Sequence, residues 1–474
     1  MLQKVLYPLL ILLLLSSYIY LPNTMDKGVM ILLLSIVALV LVLFFIHKEG
    51  LFVLRKNYFR NSILFIIGYV IVHFQYPLDY VLGNVSADNF FIWINRTIVV
   101  KSMFFSTIGL VSFLWGYTLY STSKKSELKH VVVKERVLTT KTLLWLATAF
   151  LALYFYTVNP LYLSGYYGSV GMGATATYVV LLFKVFIFAV LIQNVRNMRI
   201  KQYVPSSFLD YVRQQGYFLL VLIAIYLLSV MFSGDRGPII SFSIAYVAGY
   251  YFVSKKKLSF SRAGILLMAA ALFITILGIT RSLDKDMSFV DRVKESVTHS
   301  KFEEPSILPQ TSELAGSVRT LHAVVDYVPK NHPHTYGRFQ LQLLTSSIPF
   351  SSGLLSFLPE SGHIRFKGPA SFATWLIQGE NPNSGVGTTC IADLYVEFGL
   401  FGVLFGMLLF GFFIRYAEVN FYKIGLPALF PHILSFVYLS DAIYISRSSI
   451  LFGFRTALWI YIVLIINRYL LNRR

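Results

Sequence analysis

Twelve apolar stretches, each close to the length of a membrane-spanning helix, constrain this chain more than any other feature of its sequence. A helix needs about 20 mostly apolar residues to cross a bilayer, and short polar breaks separate most of the stretches. The pattern therefore predicts an all-α polytopic membrane protein with about 12 transmembrane helices. The stretches cover approximately residues 5–21, 28–46, 62–77, 101–120, 143–158, 177–194, 216–232, 237–253, 263–280, 391–413, 427–444 and 453–467.

The composition excludes a cytosolic enzyme. Of the 474 residues, 56% are hydrophobic and 13% are charged, and the mean hydropathy is +0.66. Soluble proteins have roughly 45–50% apolar and about 25% charged residues. The one cysteine, Cys390, has no intrachain disulfide partner, and the sequence has no Cys/His cluster for a structural zinc ion.

The positive charge predicts the orientation of the chain. If the breaks alternate across a membrane and the N-terminus is inside, 24 of the 41 Lys and Arg lie in cytoplasmic segments. Because cytoplasmic loops are enriched in Lys and Arg, we expect both termini in the cytoplasm. In this arrangement the excess of +19 serves to orient the chain, and we expect no nucleic-acid partner. The short outer breaks hold only Lys27, Arg96, Lys101, Arg236, Arg447 and Arg455.

One long hydrophilic segment divides the chain. Residues 281–390 lack a spanning stretch and contain ten basic and ten acidic residues. We therefore expect three regions: transmembrane helices 1–9 in residues 1–280, an external loop or cap in 281–390, and helices 10–12 in 391–474. Segment 315–329 predicts an amphipathic helix, segment 336–347 a second one, and the Gly-, Pro- and Ser-rich segment 351–389 predicts loop. The apolar stripe of the first helix consists of Val318, Leu321, Val325 and Val328.

Charged residues at the outer ends of the spans are candidates for function, because charge is costly within a membrane. Arg236 lies in the turn SGDRG, and Arg281 follows the ninth stretch. Arg447 lies in the last outer turn, and Asp393 and Glu397 are four residues apart on one helix face. For Arg236 the alternative is a local pair with Asp235, and for the others it is capping or snorkelling to the membrane surface.

The loop adds further basic residues. Guanidinium is permanently charged and binds phosphate in a bidentate manner, so arginines on one outer surface favour a phosphate-bearing ligand. Salt bridges to the loop acids are the alternative for each of them. Lys184, near the middle of the sixth stretch, must face the bundle interior, pair with an acid or snorkel. The loop candidates are Arg319 with His322, Arg338 and Arg365.

Several catalytic motifs are missing from the sequence. It contains no GxxxxGK[ST] loop, no HExxH motif and no GxSxG elbow. We therefore expect neither a cofactor nor a metal ion.

The sequence resembles the Wzy-type O-antigen or oligosaccharide repeat-unit polymerases, which are bacterial inner-membrane glycosyltransferases with a large external loop. The resemblance covers most of the chain as topology. Four pieces carry it: SGDRG before the eighth span, Arg281 after the ninth, HTYGRFQLQLLTSSIP at 334–349, and GVGTTCIADLYVEFGLFG at 385–402.

The resemblance implies a GT-C-like fold and a reaction between two polyprenyl-diphosphate-linked oligosaccharides at the outer face of the inner membrane. An acceptor hydroxyl attacks the donor sugar and lipid diphosphate leaves. Arg236, Arg281 and Arg447 are then the candidates to hold the diphosphate, and Arg319, Arg338 and Arg365 are second candidates for diphosphate or sugar. His322, Asp393 and Glu397 compete as general base. Membrane lipids, a chain-length regulator and a flippase are the expected partners.

Two other functions fit the same pattern. An O-antigen ligase, or another lipid-linked sugar transferase, shares the leaving group but transfers to a different acceptor. A twelve-span transporter or flippase is the alternative from another class, although such proteins usually carry internal repeats, and no repeat is visible here. Loop residues Phe366, Phe372 and Trp375 pack in the cap or stack on sugars.

Overall fold

All regular secondary structure in the described part of the computed structural model is helical, and no strand occurs there. This confirms the predicted all-α membrane fold. The structure describes residues 2–46, 57–120, 137–163, 171–254 except 234, 256–265 except 260, 289–298, 306–348, 366–421 except 367 and 383, and 423–472 except 424, with single positions at 269, 272, 276 and 287.

Eleven of the twelve predicted stretches coincide with helices, and the stretch at 263–280 lies largely outside the described residues. Nine helical segments of the described part are long and apolar enough to cross a membrane, and ten if one bent pair counts as a single span. The helices before the loop are α1 (Leu2–Ser17), α2 (Lys27–Ile46), α3 (Asn61–Leu82), α4 (Val99–Leu119), α5 (Lys141–Thr157), α6 (Pro160–Leu163), α7 (Ala174–Ile200), α8 (Phe208–Gln215), α9 (Tyr217–Ser233) and α10 (Gly237–Ser254).

Five shorter helices belong to the part of the loop that the structure describes, and three long helices follow it. The loop helices are α11 (Phe289–Thr298), α12 (Ser312–Ala315), α13 (Val318–Tyr327), α14 (Arg338–Thr345) and α15 (Pro369–Gln378). The long ones are α16 (Cys390–Asn420), α17 (Leu429–Ile445) and α18 (Phe454–Asn472). We call the end of the bundle on which residues 306–348 pack the loop end, and the end that carries α8 the opposite end.

The two predicted loop helices are confirmed as α13 and α14. The stripe of α13 faces the core, where Val318, Leu321, Val325 and Val328 are all buried. The prediction of loop throughout 351–389 is wrong, because α15 lies within it. Gly368 and Pro369 mark the start of this helix, and the nine residues after the proline contain neither Gly nor Pro. The high Gly, Pro and Ser content of the whole segment predicts loop, although this short stretch within it forms a helix.

Helices α4 and α16 pack at the centre of the bundle with their backbones close together. A Cβ atom added to Gly116 would lie 1.9 Å from the carbonyl oxygen of Leu408, and one added to Gly411 would lie 2.0 Å from that of Phe113. Small residues permit such close approach between helices in membranes, where van der Waals packing supplies much of the association energy. This contact positions the first turns of α16, which carry the candidate acids.

A buried polar network joins α3, α4 and α16 at the opposite end. The carboxylate of Glu418 accepts hydrogen bonds from the Ser62 backbone NH at 2.7 Å and from the Tyr117 hydroxyl at 2.6 Å. Arg415 donates to the same tyrosine at 2.9 Å. The network caps the N-terminus of α3, because its first NH groups have no partner within the helix.

Two spans within the described ranges are broken. Helices α8 and α9 meet at 93° around Gly216, whose φ of 91° suits a glycine. Helix α16 contains a break at Phe398 and at Gly399, where φ is 61° and ψ is −141°. The second break lies at the loop end, directly after Glu397.

Candidate functional site at the loop end

The two longest blocks that carry the family resemblance, 334–349 and 385–402, are joined by hydrogen bonds. The backbone NH groups of Thr335 and Tyr336 donate to the carbonyl oxygens of Val396 and Glu397, each at 3.0 Å. Carbonyl groups in the last turn of a helix segment lack partners within the helix. The break after Glu397 therefore frees these two carbonyls to bind the loop.

Glu397 fixes the start of α14. Its carboxylate accepts hydrogen bonds from the Gly337 NH at 2.6 Å, from the Gln340 NH at 2.8 Å and from the Thr335 hydroxyl. A carboxylate at this position binds the unpaired NH groups of a helix N-terminus and interacts favourably with the helix dipole. Because its side chain is buried and accepts three hydrogen bonds, Glu397 anchors the loop to α16.

Asp393 lies one turn before Glu397 and is also buried, but its carboxylate is less fully bonded. Its Oδ2 atom accepts a hydrogen bond from Gln340 Nε2 at 2.8 Å, whereas its Oδ1 atom has no hydrogen-bond partner among the described residues. The structure therefore brings Asp393 and Glu397 together through one residue, Gln340. Sequence analysis missed Gln340, since spacing along a chain does not show which loop residue meets a given helix.

His322 is also buried, and it packs against Trp93. Its ring lies 5.9 Å from the ring of Trp93, and the side chain is 1% exposed. Burial, together with the neighbouring Arg319, lowers the pKa of His322 to about 4, although a hydrogen bond with the Ile92 backbone acts in the opposite direction. The imidazole is therefore neutral at neutral pH and packs between α13 and the segment before α4.

Arg319 and Arg338 lie on different parts of the loop. The guanidinium of Arg319 stacks 4.0 Å above the ring centre of Phe91, and burial lowers the pKa of this arginine. Its Nε atom has no hydrogen-bond partner in the described part of the chain. Arg338 is the first residue of α14, beside the loop segment that Glu397 binds.

Arg236 forms an ion pair with Glu313 of the loop. The side chain of Arg236 is 13% exposed and that of Glu313 is 52% exposed. The neighbouring Asp235 accepts hydrogen bonds from the Gly237 NH at 3.1 Å and from the Tyr162 hydroxyl at 3.2 Å. The turn SGDRG thus links α10 to the loop through its arginine.

Arg447 lies at the loop end of a closed ring of four helices. Helix α7 packs against α10 and α18, and α17 packs against the same two helices. The guanidinium of Arg447, just after α17, lies 5.3 Å from the ring centre of Tyr444, and the residue has no ion pair within the described ranges. Arg236, just before α10, lies at the same end of this ring.

Arg447 and Asp393 belong to neighbouring segments. The Cys390 NH donates to the carbonyl oxygen of Ser446 at 3.2 Å, and the Ser449 hydroxyl lies beside the Asp393 carboxylate. The turn that carries Arg447 therefore packs on the first turns of α16. Arg281 and Arg365 lie outside the described residues.

Lys184 pairs with an acid. Its Nζ atom lies 3.5 Å from Asp441 Oδ2, across the interior of the four-helix ring. The three loop aromatics Phe366, Phe372 and Trp375 contact one another with ring centres 5.3–6.1 Å apart. Phe372 is buried, which agrees with packing in the cap. No group of three His, Cys, Asp or Glu residues within the described part could hold a metal ion.

The family model described as O-antigen polysaccharide polymerase Wzy matches residues 5–471, nearly the whole chain. The chain belongs to this family. No curated protein and no solved structure matches it significantly. Membership confirms the resemblance seen in the sequence and makes the protein a membrane enzyme of polysaccharide biosynthesis, an O-antigen polymerase in general terms. In this Wzy protein Arg236, Arg447 and the buried acids Asp393 and Glu397 lie where the described part of the loop meets the bundle.

Proposed function

We propose that the protein joins polyprenyl-diphosphate-linked oligosaccharide repeat units at the outer face of a bacterial inner membrane. The loop end then faces outward, both termini are cytoplasmic, and residues 281–390 form a cap over the two flanking sets of helices. The partners of the protein are the lipid-linked oligosaccharide and the surrounding lipids, together with a chain-length regulator and a flippase.

The observation that carries this proposal is the position of Arg236 and Arg447 at one end of a four-helix ring. Both are partly exposed and lie next to a helix end, and we expect the lipid headgroup at this level. Arginine binds diphosphate oxygens in a bidentate manner and stays charged at every relevant pH. We assign Arg281 to the same group by sequence, and Arg319, Arg338 and Arg365 to the cap side of the diphosphate or to the sugar.

The reaction requires stabilisation of the leaving group. An acceptor hydroxyl attacks the anomeric carbon of the donor, a new C–O bond forms, and the bond between that carbon and the diphosphate oxygen breaks. The electron pair stays on the lipid diphosphate, which thereby gains negative charge. Fixed cations at that position stabilise the charge as it develops, so the arginines themselves can perform this role.

The proton of the acceptor hydroxyl requires a base. We assign Asp393 to this role, since its Oδ1 atom lacks a hydrogen-bond partner among the described residues and its neighbour Ser449 belongs to the turn that carries Arg447. Glu397 is occupied by three hydrogen bonds to the loop. His322 packs against Trp93 at a different contact.

The proposal is tested by the length of the polysaccharide that variants produce in cells. Arg236→Ala and Arg447→Ala, at equal expression, are expected to reduce the ladder to single repeat units. The matched control is Arg96→Ala, an arginine at the same end that pairs with the exposed Asp88 outside the ring. A full ladder from Arg236→Ala would overturn its assignment, and single transfer to a lipid A core would identify a ligase.

A further inference from the structure

The ion pair inside the four-helix ring is partly exposed. The side chain of Lys184 is 19% exposed and that of Asp441 is 6% exposed, at a separation of 3.5 Å. The Lys184 ammonium also lies 5.3 Å from the ring centre of Phe188. Charged residues within spanning helices are costly and usually serve a ligand or an ion. A fully buried ion pair would also add little to the stability of the fold, because the cost of removing both charges from water offsets their mutual attraction.

Helix geometry places this pair beneath the arginines. A helix rises 1.5 Å per residue, so Arg447, six residues after Asp441, lies about 9 Å nearer the loop end. On α10, Ser241 hydrogen-bonds Ser440 at 3.4 Å, which sets it level with Asp441. Arg236, five residues before Ser241, is therefore about 7.5 Å nearer the loop end. Both arginines therefore lie at about one level, nearer the loop end than the ion pair.

The fourth helix contributes an arginine at the same level. Arg455 is in the first turn of α18, which packs on α7, and Tyr178 of α7 lies near it. Tyr178 precedes Lys184 by six residues, which places it about 9 Å nearer the loop end. Arg455 has no ion pair within the described part of the chain and is half-buried.

We propose that Arg455 and the Lys184–Asp441 pair complete a prenyl-diphosphate site whose upper rim is Arg236 and Arg447. The inference rests on the proposed function and adds two parts to the site. Lys184 and Asp441 form its floor, and Arg455 forms the wall on the fourth helix. Arg236 pairs with Glu313 and Lys184 with Asp441, so Arg447 and Arg455 supply two positive charges that form no ion pair within the described residues. This charge complements a lipid-linked diphosphate diester. Asp441 holds the Lys184 ammonium in the ion pair. A bound diphosphate competes with Asp441 for this ammonium.

We expect substitutions of Lys184 and Asp441 to change the affinity for prenyl diphosphate in opposite directions. Lys184→Met leaves Asp441 facing the diphosphate, so binding weakens. Asp441→Asn removes the competitor of the lysine, so binding tightens. Arg455→Ala weakens binding about ten-fold or more, as expected for the loss of a charge-assisted hydrogen bond. An ion pair with a purely structural role would instead make both single variants less stable and would leave the affinity of the folded protein unchanged.

The experiment measures the affinity of the purified full-length protein in nanodiscs for farnesyl diphosphate, with farnesyl monophosphate and inorganic pyrophosphate as comparison probes. Arg96→Ala is the control arginine at the same end. Binding of pyrophosphate as tight as that of farnesyl diphosphate would indicate a site for free anions and would overturn the prenyl assignment. Tighter binding by Asp441→Asn and weaker binding by Lys184→Met support the proposal, and equal affinities of wild type, Lys184→Met and Arg455→Ala overturn it.

The ladder assay and the binding assay together distinguish a failure of this inference from a failure of the proposed function. If Arg447→Ala loses the polysaccharide ladder while Lys184→Met and Arg455→Ala keep wild-type affinity, the floor assignment fails and the polymerase proposal stands. A wild-type protein that binds no prenyl diphosphate contradicts both.

Discussion

The two acids of α16 differ in what their carboxylates do, although they are one helical turn apart. Glu397 accepts three hydrogen bonds from the loop, and Asp393 accepts one at Oδ2 while Oδ1 has no described partner. Sequence spacing predicted that they share a helix face. The difference between them depends on Gln340, which comes from a distant segment and is not visible in the spacing.

We predict that Glu397→Gln destabilises the protein by about 2–4 kcal/mol, because buried NH donors lose a charged acceptor. Asp393→Asn should cost less, since the amide oxygen still accepts from Gln340, yet it should abolish polymer growth if Asp393 is the base. Thermal unfolding in detergent and the ladder assay measure the two effects. Equal destabilisation by both changes would contradict this division of roles.

His322 predicts a pH dependence of stability. Its pKa is about 4 in the folded protein, against 6.5 ordinarily. Between these values the unfolded chain binds more protons than the folded one, so stability falls as pH falls from 6.5 toward 4. The full difference is about 3 kcal/mol.

Unfolding temperatures between pH 4 and pH 7.5 measure the effect of His322. His322→Gln should flatten the dependence, and His332→Gln, a partly exposed loop histidine, should not. An unchanged slope in His322→Gln would show that other groups cause it.

At the level of elements, the break in α16 allows the bundle to bind its loop. The backbone of Gly399 has φ 61° and ψ −141°, and His334 lies over it. A side chain is strained in that conformation, so the glycine permits the turn that frees the carbonyl groups of Val396 and Glu397. A continuous helix would use those carbonyl groups internally.

Gly399→Ala is therefore expected to lower stability by about 1–3 kcal/mol. The added Cβ would also lie 3.2 Å from the ring of His334. Gly264→Ala is the matched control, as nothing lies within 4 Å of a Cβ added there. Thermal unfolding of both variants tests this, and equal stability of the two would show that the break tolerates a side chain.

The elements that sequence predicts well are those with a strong local pattern. The stripe of Val318, Leu321, Val325 and Val328 fixed both the position and the buried face of α13. The helix Pro369–Gln378 was missed because its start signal, Gly368–Pro369, lies in a segment dominated by turn residues. Arg455 was assigned no role, because apolar periodicity locates helices and faces but not the order in which helices surround one another.

At the scale of the whole molecule, the orientation in the membrane stays a prediction from charge. The one cysteine, Cys390, is fully buried, so the natural chain offers little background for thiol labelling. Ser384, near the loop end, and Ser206, next to α8, are both exposed. These two positions report on opposite ends of the bundle.

In intact cells, Ser384→Cys should react with a membrane-impermeant maleimide once the outer membrane is permeable. Ser206→Cys should react only after the inner membrane is opened. The unsubstituted chain serves as the control. The reverse pattern would place the loop end, and with it Arg236, Arg447 and Arg455, on the cytoplasmic side.

The contacts between the loop and the last three helices have a consequence for how the polypeptide can be divided. Gln340 holds Asp393 and Glu397, and the Trp459 indole NH donates to the carbonyl oxygen of Ser347 at 2.6 Å. These bonds join residues that precede position 348 to residues that follow position 366. Two separately translated fragments, divided between those positions, would still carry complementary halves of the same junction and should reassemble into one enzyme when produced together.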